Sequence, residues 1–342
     1  MSEPKAYEAT IAGPSSRNAG LDALRAFACA MVVVYHLQLD THLDFGPLNP
    51  FVAGGNVGIY VFFTLSGYLL YRPFIRRPVE LGGYAIKRAA RILPGYYVAL
   101  IALVILTGSS VPWHAPIPYL TLSASYSPPL RAFLGSAWTL SAELLFYVSL
   151  PFIARLADRR EVRVVLGLAA ASVVAAIVFA VRVSSSTEWL TGTYPFMFYA
   201  FAPGMLLAVV ERTRPAVFAD LARWPVLAIG AVLLAWGTLE HAAIIGYGPT
   251  IGAALLIGWL LQHRIPGATF LAFLGGMSYA LYLWHRDVFI AFGVVGLPIA
   301  LIGSAASWAL VERPILAWAH RITRRRVEEA PVTGGAVPAS AA

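Results

Sequence analysis

Apolar stretches long enough to cross a lipid bilayer recur along the whole chain, each bounded by polar residues, glycines or prolines. A membrane-spanning helix needs about 20 consecutive apolar residues, and such breaks mark helix ends. The pattern predicts ten spans, at residues 21–39, 52–71, 91–108, 136–156, 162–182, 193–210, 224–239, 243–262, 270–291 and 295–318.

The composition also indicates a membrane protein. Hydrophobic residues make up 59% of the 342-residue chain and charged residues 12%, with a mean hydropathy of +0.71. Soluble domains carry about 45–50% apolar and about 25% charged residues. A soluble enzyme, a disordered chain and a disulfide scaffold are therefore excluded. The single cysteine, Cys29, excludes disulfides and cysteine-based metal sites, and no metal site is predicted. The predicted fold class is all-α: a polytopic integral membrane protein with about ten transmembrane helices.

The basic residues indicate an orientation in the membrane. Lys and Arg number 25 against 17 Asp and Glu, and they fall almost entirely in alternate connections between the predicted spans. Basic loops face the cytoplasm, so both termini are predicted to be cytoplasmic. The first twenty residues lack the features of a removable signal peptide, so the first helix is expected to be retained. The predicted organisation is a cytoplasmic tail (1–19), a membrane domain (20–320) and a basic, then disordered tail (321–342).

Ionisable side chains on the first predicted helix indicate a site, because they are costly in lipid. Asp22, Arg25 and His36 form one polar stripe on an otherwise apolar helix. At 1.5 Å per residue, His36 lies about 16 Å beyond Arg25, towards the outer face. A lone intramembrane histidine is more often a hydrogen-bonded structural residue, but this polar stripe favours a functional role for His36.

Two further spans place polar groups at the depth of His36. Glu143 is the acid of the fourth span, and His285 lies in the outer half of the ninth. His285 shares one helix face with Ser278 and Tyr282. Plainer interpretations stay open: Glu143 and His285 as structural partners, and the tyrosines as part of an interfacial aromatic belt.

Two arginines indicate an anion site at the cytoplasmic end of the third span. Arg88 and Arg91 are three residues apart on one helical face, just before Pro94, and at the predicted membrane level of Arg25. Guanidinium groups bind phosphates through bidentate hydrogen bonds. A cytoplasmic polyanion is therefore the predicted ligand of these three arginines.

Six separate stretches resemble the membrane-bound acyltransferase-3 family, in the expected order over about residues 20–318. They are Gly20-Leu21-Asp22-Ala23-Leu24-Arg25 with Tyr35-His36, Phe62-Phe63-Thr64-Leu65-Ser66-Gly67, Lys87-Arg88-Ala89-Ala90-Arg91, Trp138-Thr139-Leu140-Ser141-Ala142-Glu143 with Phe146-Tyr147, Ser278-Tyr279 to Trp284-His285, and Glu312-Arg313-Pro314. The departures are modest: Ala23 stands where glycine is usual, and no polar residue follows Glu143 closely. Many relatives add a periplasmic SGNH-type domain after the membrane domain, which is not expected here.

The resemblance implies an O-acyltransferase of the cell membrane, which moves an acyl group, commonly acetyl, from cytoplasmic acyl-CoA to a hydroxyl. The implied acceptors are sugars, polysaccharides, lipid-linked glycans or macrolides, and acyl-CoA is a co-substrate rather than a bound cofactor. The implied roles are His36 as base or nucleophile, Glu143 as its orienting acid, and the three arginines as the CoA site. Candidates for polarising the thioester carbonyl or binding substrate are Asp22, Ser66, Ser141, Ser278, Tyr279, Tyr282 and His285.

A second class of function stays open on the residues alone. A proton-coupled transporter or flippase could use the same intramembrane His, Glu and Arg side chains. The acceptor is also open. The outer loop at 109–135 contains Trp113, His114, Tyr119 and Tyr126, which could stack on sugar rings or lie in the membrane interface. No nucleic acid partner is predicted, and the oligomeric state cannot be predicted from these patterns.

Overall fold

The computed structural model of the protein describes residues 18–127, 129–182, 194–239, 247–265 and 268–329, and every regular element in these ranges is helical. The α-helices are α1 (Ala19–Thr41), α2 (Asn49–Ala53), α3 (Gly58–Arg76), α4 (Leu81–Thr107), α5 (Val111–His114), α6 (Pro116–Leu120), α7 (Trp138–Leu156), α8 (Glu161–Arg182), α9 (Phe198–Thr213), α10 (Pro215–Asp220), α11 (Trp224–Leu239), α12 (Tyr247–Leu260), α13 (Ala268–Phe292), α14 (Gly296–Ser307) and α15 (Arg313–Glu329). A π-helical turn, Trp308–Glu312, joins α14 to α15.

Each predicted span overlaps helical residues of the structure, although the last one, 295–318, covers α14 and the start of α15, and the protein is an α-helical, multi-pass membrane protein. Six stretches of the described residues are long and apolar enough to cross a membrane, and α11 and α12 are shorter apolar helices. One of the six, Phe273–Arg324, runs from α13 into α15, where sequence predicts two spans. The count of ten spans therefore stays a prediction.

The ends of α1 have clear local causes. The side chain of Asn18 accepts hydrogen bonds from the backbone N–H groups of Gly20 (3.0 Å) and Leu21 (3.2 Å), which satisfies two donors at the helix start. At the other end His42 adopts a left-handed conformation, and its N–H donates to the Gln38 carbonyl. These two caps fix the register of the helix that carries Asp22, Arg25 and His36.

The packing of α1 against α13 brings the two polar helices together. A Cβ atom on Gly275 would lie 2.0 Å from the Asp22 carbonyl oxygen, so only glycine permits this approach. One turn further along, the Cys29 thiol donates to the carbonyl of Ser278 at 3.4 Å. Helix α3 also packs against α1, through Gly58 at Ala28 and Val32. In contrast, α8 presents apolar side chains outward, where lipid is expected: Leu166, Val174, Ile177 and Val178.

The last helix extends into the segment that is predicted as the basic C-terminal tail. Helix α15 continues to Glu329, beyond the boundary at residue 320 that was predicted for the membrane domain. Its last turns are rich in arginine, which favours a helix no less than lysine or leucine. The predicted tails at residues 1–17 and 330–342 lie outside the described residues.

Candidate active site

A cavity lies among α1, α3, α4, α7 and α13. Its apolar wall comes mainly from α3, including Phe62, Phe63 and Leu65. Its polar lining consists of Arg25, Ser66, Arg88, Arg91, Thr139, Glu143, Tyr147, Ser278, Tyr279 and Tyr282. The cavity thus brings residues from five helices, and from most of the predicted site, into one space.

Three guanidinium groups border this cavity. Arg25 forms an ion pair with Asp22, one turn earlier on α1. Arg91 lies over the ring of Tyr279 at 5.3 Å, and Arg88 lies over the ring of Tyr147 at 5.7 Å. The buried Nε of Arg88 has no hydrogen-bond partner among the described residues. The aromatic faces hold the guanidinium groups of Arg88 and Arg91 in place and leave N–H donors of these two residues available for an anion.

Glu143 is the acid that lines the same cavity, and two hydroxyl groups hold it. Ser66 donates to its Oε1 at 2.6 Å from α3, and Tyr147 donates at 2.7 Å from one turn further along α7. A carboxylate is an acceptor only. The Ser66 proton is therefore already taken by Glu143, which leaves Ser66 unable to donate to a substrate carbonyl in this arrangement.

The other candidate hydroxyl groups differ in whether their proton is already donated to a protein acceptor. Ser278 donates to the Gly275 carbonyl at 2.8 Å, and Tyr279 donates to the Ile92 carbonyl at 2.7 Å. Tyr282 differs, because its oxygen accepts from Thr139 at 3.1 Å and none of the described residues accepts its proton. Of the predicted carbonyl-polarising residues that line the cavity, Tyr282 is the one with a proton to give.

His36 and His285 form a direct pair across the α1–α13 contact. Nε2 of His285 lies 3.0 Å from Nδ1 of His36, and the ring centroids are 4.9 Å apart. Nδ1 of His285 lies 3.0 Å from the Leu281 carbonyl, which can only accept, so this nitrogen carries a proton. In the neutral ring its Nε2 is then an acceptor, and Nδ1 of His36 carries the proton between the rings. The lone pair of His36 is consequently on Nε2.

The histidine pair lies beyond the outer end of the cavity, with Tyr282 between the two. The Tyr282 ring lines the cavity, and its centroid is 5.8 Å from that of His285, one helical turn further out. Neither histidine lines the cavity itself. The hydrogen bonds of His36 go to His285 and to the Val32 carbonyl, and those of Glu143 to Ser66 and Tyr147. The structure therefore does not join Glu143 to His36 by a hydrogen bond.

Comparison with known proteins gives the class of chemistry. A protein-family model described as an acyltransferase domain matches residues 18–317. The chain belongs to the acyltransferase-3 family. It is 27% identical to nodulation protein 10 of Rhizobium leguminosarum bv. viciae, over 93% of this chain and all of that protein. It is 28% identical to the exopolysaccharide production protein ExoZ of Rhizobium meliloti, over 75% of this chain and 84% of that one. It is 29% identical to the acyltransferase MdmB of Streptomyces mycarofaciens, over 87% of this chain and 85% of that protein. No solved structure matches.

Family membership makes the protein a membrane-bound acyltransferase and so decides against the transporter alternative. Of the residues predicted for its site, the cavity brings together Arg25, Ser66, Arg88, Arg91, Glu143, Ser278, Tyr279 and Tyr282. Asp22 lies behind Arg25 as its ion-pair partner. Ser141 lies elsewhere: its hydroxyl donates to the Leu122 carbonyl at 2.6 Å and meets Ser125 at 2.6 Å, which ties α7 to the outer loop.

The outer loop of the acyltransferase is only partly available to a ligand. Trp113 is exposed, whereas Tyr119 is buried and donates to the Leu130 carbonyl at 2.5 Å. Burial, together with the charge of Asp287, raises the pKa of Tyr119 to about 12, so its hydroxyl stays neutral. Tyr119 therefore supports the loop and offers no ring face to a sugar.

Sequence reasoning missed five residues that the structure places in or beside the site. Thr139 and Tyr147 hold Tyr282 and Glu143, and both belong to the motif on α7. Asp40, Arg286 and Asp287 lie beyond the histidine pair at the outer end. A usable signal existed in the sequence, because Asp40 follows His36 by four residues and Arg286 directly follows His285.

Proposed function

We propose that this acyltransferase moves an acetyl group from cytoplasmic acetyl-CoA to an acceptor hydroxyl, with His36 as the general base. The observation that supports this best is a single cavity with three arginines at one end and Tyr282, which touches the histidine pair, at the other. The phosphates of CoA would bind Arg25, Arg88 and Arg91. The extended pantetheine arm can cover the roughly 16 Å of helix between Arg25 and His36.

The chemistry needs one base and one donor to the carbonyl oxygen. Nε2 of His36 takes the proton of the acceptor hydroxyl as that oxygen attacks the thioester carbon. The carbon–oxygen bond forms, the carbon–sulfur bond breaks, and CoA leaves as a thiolate that takes the proton back from His36. Tyr282 donates its hydroxyl proton as a hydrogen bond to the carbonyl oxygen while negative charge builds there. A transient acyl group on His36 remains the alternative route.

His285 and Glu143 have separate supporting roles in this proposal. His285 accepts from Nδ1 of His36 and orients its ring, and together with the Val32 carbonyl it keeps the lone pair on Nε2, as the orienting member of a triad does. Glu143 is held by Ser66 and Tyr147 inside the cavity, next to the arginines that border it. In this proposal its negative charge offsets part of the positive charge at the arginine end of the cavity and orients the acyl donor. It does not contact His36.

The proposal is tested with purified protein in detergent, [14C]acetyl-CoA and glycerol, whose hydroxyl groups serve as the acceptor. We expect release of CoA thiol by the wild-type protein and loss of this release in His36→Ala, with normal expression and membrane insertion. Wild-type rates in His36→Ala would contradict the assignment of His36. Absence of any acetyl-CoA consumption by the wild-type protein would contradict acetyl-CoA as the donor.

A further inference from the structure

At the outer end of the α1–α13 contact, an arginine and an aspartate face each other without making a hydrogen bond. Nε of Arg286 lies 3.7 Å from Oδ2 of Asp40, which is an ion-pair distance but too long for a hydrogen bond. Both atoms are buried, and neither has a hydrogen-bond partner among the described residues. Buried charged atoms without such partners are costly and call for an explanation.

These two residues adjoin the proposed catalytic pair. Asp40 lies one helical turn beyond His36 on the same side of α1. Arg286 directly follows His285 on α13. The exposed fraction of the side chain is 29% for Arg286 and 10% for Asp40, so a ligand at the outer end can reach them after a rotation of the Arg286 side chain.

The surrounding backbone is shaped around Arg286 and its neighbour. A Cβ atom on Gly135 would lie 2.0 Å from Nη1 of Arg286, so the guanidinium rests directly against the backbone of Gly135. The preceding residue, Leu134, has a left-handed φ of 55° and donates its N–H to Oδ1 of Asp287 at 2.8 Å. Strained backbone of this kind often occurs at functional sites. The segment before α7 thus contacts α13 through Leu134 and Gly135.

The charges decide which ligand chemistry fits. A phosphate or carboxylate would be repelled by Asp40 and Asp287. Oδ2 of Asp287 is also buried without a hydrogen-bond partner among the described residues. A cation would be repelled by Arg286. A neutral hydroxyl group can accept from the guanidinium and donate to the carboxylate at once, and neighbouring hydroxyls on one ring can do so together.

We infer that Asp40 and Arg286 bind the acceptor of the acyl transfer through its hydroxyl groups, and that this acceptor is a neutral, carbohydrate-type polyol arriving at the outer end. The two side chains place one further hydroxyl of the same ligand near Nε2 of His36. This inference rests on the proposed function, since it assigns the second substrate of that site. Both residues act by positioning the substrate, not in the chemical steps.

The test separates the two substrates. Purified wild-type protein, Asp40→Asn and Arg286→Lys are given [14C]acetyl-CoA with increasing methyl α-D-glucopyranoside or glycerol, and both CoA release without glycoside and acetylated product are measured. We expect both variants to lose at least tenfold in kcat/KM for the glycoside, and to lose several-fold more of this transfer than of the CoA release measured without glycoside. Asp44→Asn is the matched control, because Asp44 lies at the same end and is exposed.

Each other outcome has a defined meaning. An unchanged kcat/KM for the glycoside in both variants overturns the inference. Equal loss of CoA release and of transfer also overturns it, because the pair is then structural. A wild-type protein that releases CoA but acetylates neither probe overturns the polyol as substrate class. A wild-type protein that releases no CoA contradicts the proposed function instead.

Discussion

Nδ1 of His36 and Nε2 of His285 lie 3.0 Å apart, and this contact, together with the Val32 carbonyl 3.1 Å from the same Nδ1, keeps the lone pair of His36 on Nε2. The carbonyl of Leu281 keeps the proton of the His285 ring on Nδ1, so Nε2 of His285 is an acceptor. A substitution at His285 therefore changes the chemistry of His36 without touching a substrate.

Replacement of His285 tests that coupling. We expect His285→Phe to lower kcat at least tenfold, because His36 loses the acceptor on α13 that orients its ring and keeps only the Val32 carbonyl of its own helix. His285→Gln, whose amide oxygen can accept the same hydrogen bond, should retain more activity than His285→Phe. Initial rates of CoA release and thermal stability are measured on both. Equal activity of the two variants would contradict an orienting role for His285.

Removal of the Tyr282 hydroxyl tests the proposed donor to the carbonyl oxygen. We expect Tyr282→Phe to lower kcat about 100-fold, the effect of losing one donor of this kind, with little change in the KM for acetyl-CoA. Tyr279→Phe is the matched control, because the Tyr279 hydroxyl is already bonded to Ile92. The assignment fails if the two variants lose activity to the same extent.

Neutralisation of the cavity arginines tests the CoA site. Arg88→Gln and Arg91→Gln should each raise the KM for acetyl-CoA about tenfold or more, since a hydrogen bond to a charged group contributes about 1.5–3 kcal/mol. Arg155→Gln, at the predicted cytoplasmic end of α7 but exposed and outside the cavity, should leave KM unchanged. Steady-state kinetics with varied acetyl-CoA decide this. A KM that is the same in all three variants would place CoA elsewhere.

The approach of α13 to α1 gives a stability prediction. Gly275→Ala places a methyl group 2.0 Å from the Asp22 carbonyl oxygen, which no side-chain movement can relieve. We expect a destabilisation of about 1–3 kcal/mol, the usual cost of overpacking, and loss of activity through displacement of His285 from His36. Gly167→Ala on α8 meets no atom within 4 Å and should fold as the wild type does. Thermal melts in detergent compare the two variants.

The sequence predicted the positions of the helices well, because apolar runs of membrane-spanning length leave few alternatives in lipid. It also selected most polar residues of the cavity, since an ionisable group in a span is costly unless it has a function. The partners within the site were harder to predict. That Ser66 donates to Glu143, and that Ser141 turns towards Leu122 instead of the cavity, depends on how α3 and α7 are rotated about their axes.

The contact between His36 and His285 likewise could not be predicted, because it depends on which helices are neighbours. Sequence placed His36 and His285 at similar depth, but depth alone does not say which two of three polar helices touch. That choice depends on Gly275, which lets the backbone of α13 approach Asp22. A periodic pattern gives the face of a helix, whereas a single glycine in it decides which neighbour that face meets.

The lone cysteine has a practical consequence for the study of this enzyme. Cys29 is 2% exposed, and its thiol is engaged with the carbonyl of Ser278 between α1 and α13. Thiol reagents added to the folded protein should leave it unmodified, so colorimetric detection of released CoA needs no correction for the protein's own sulfur. The wild-type chain can likewise serve directly as the background for site-directed labelling, in which cysteines introduced at the outer end report when a substrate covers them.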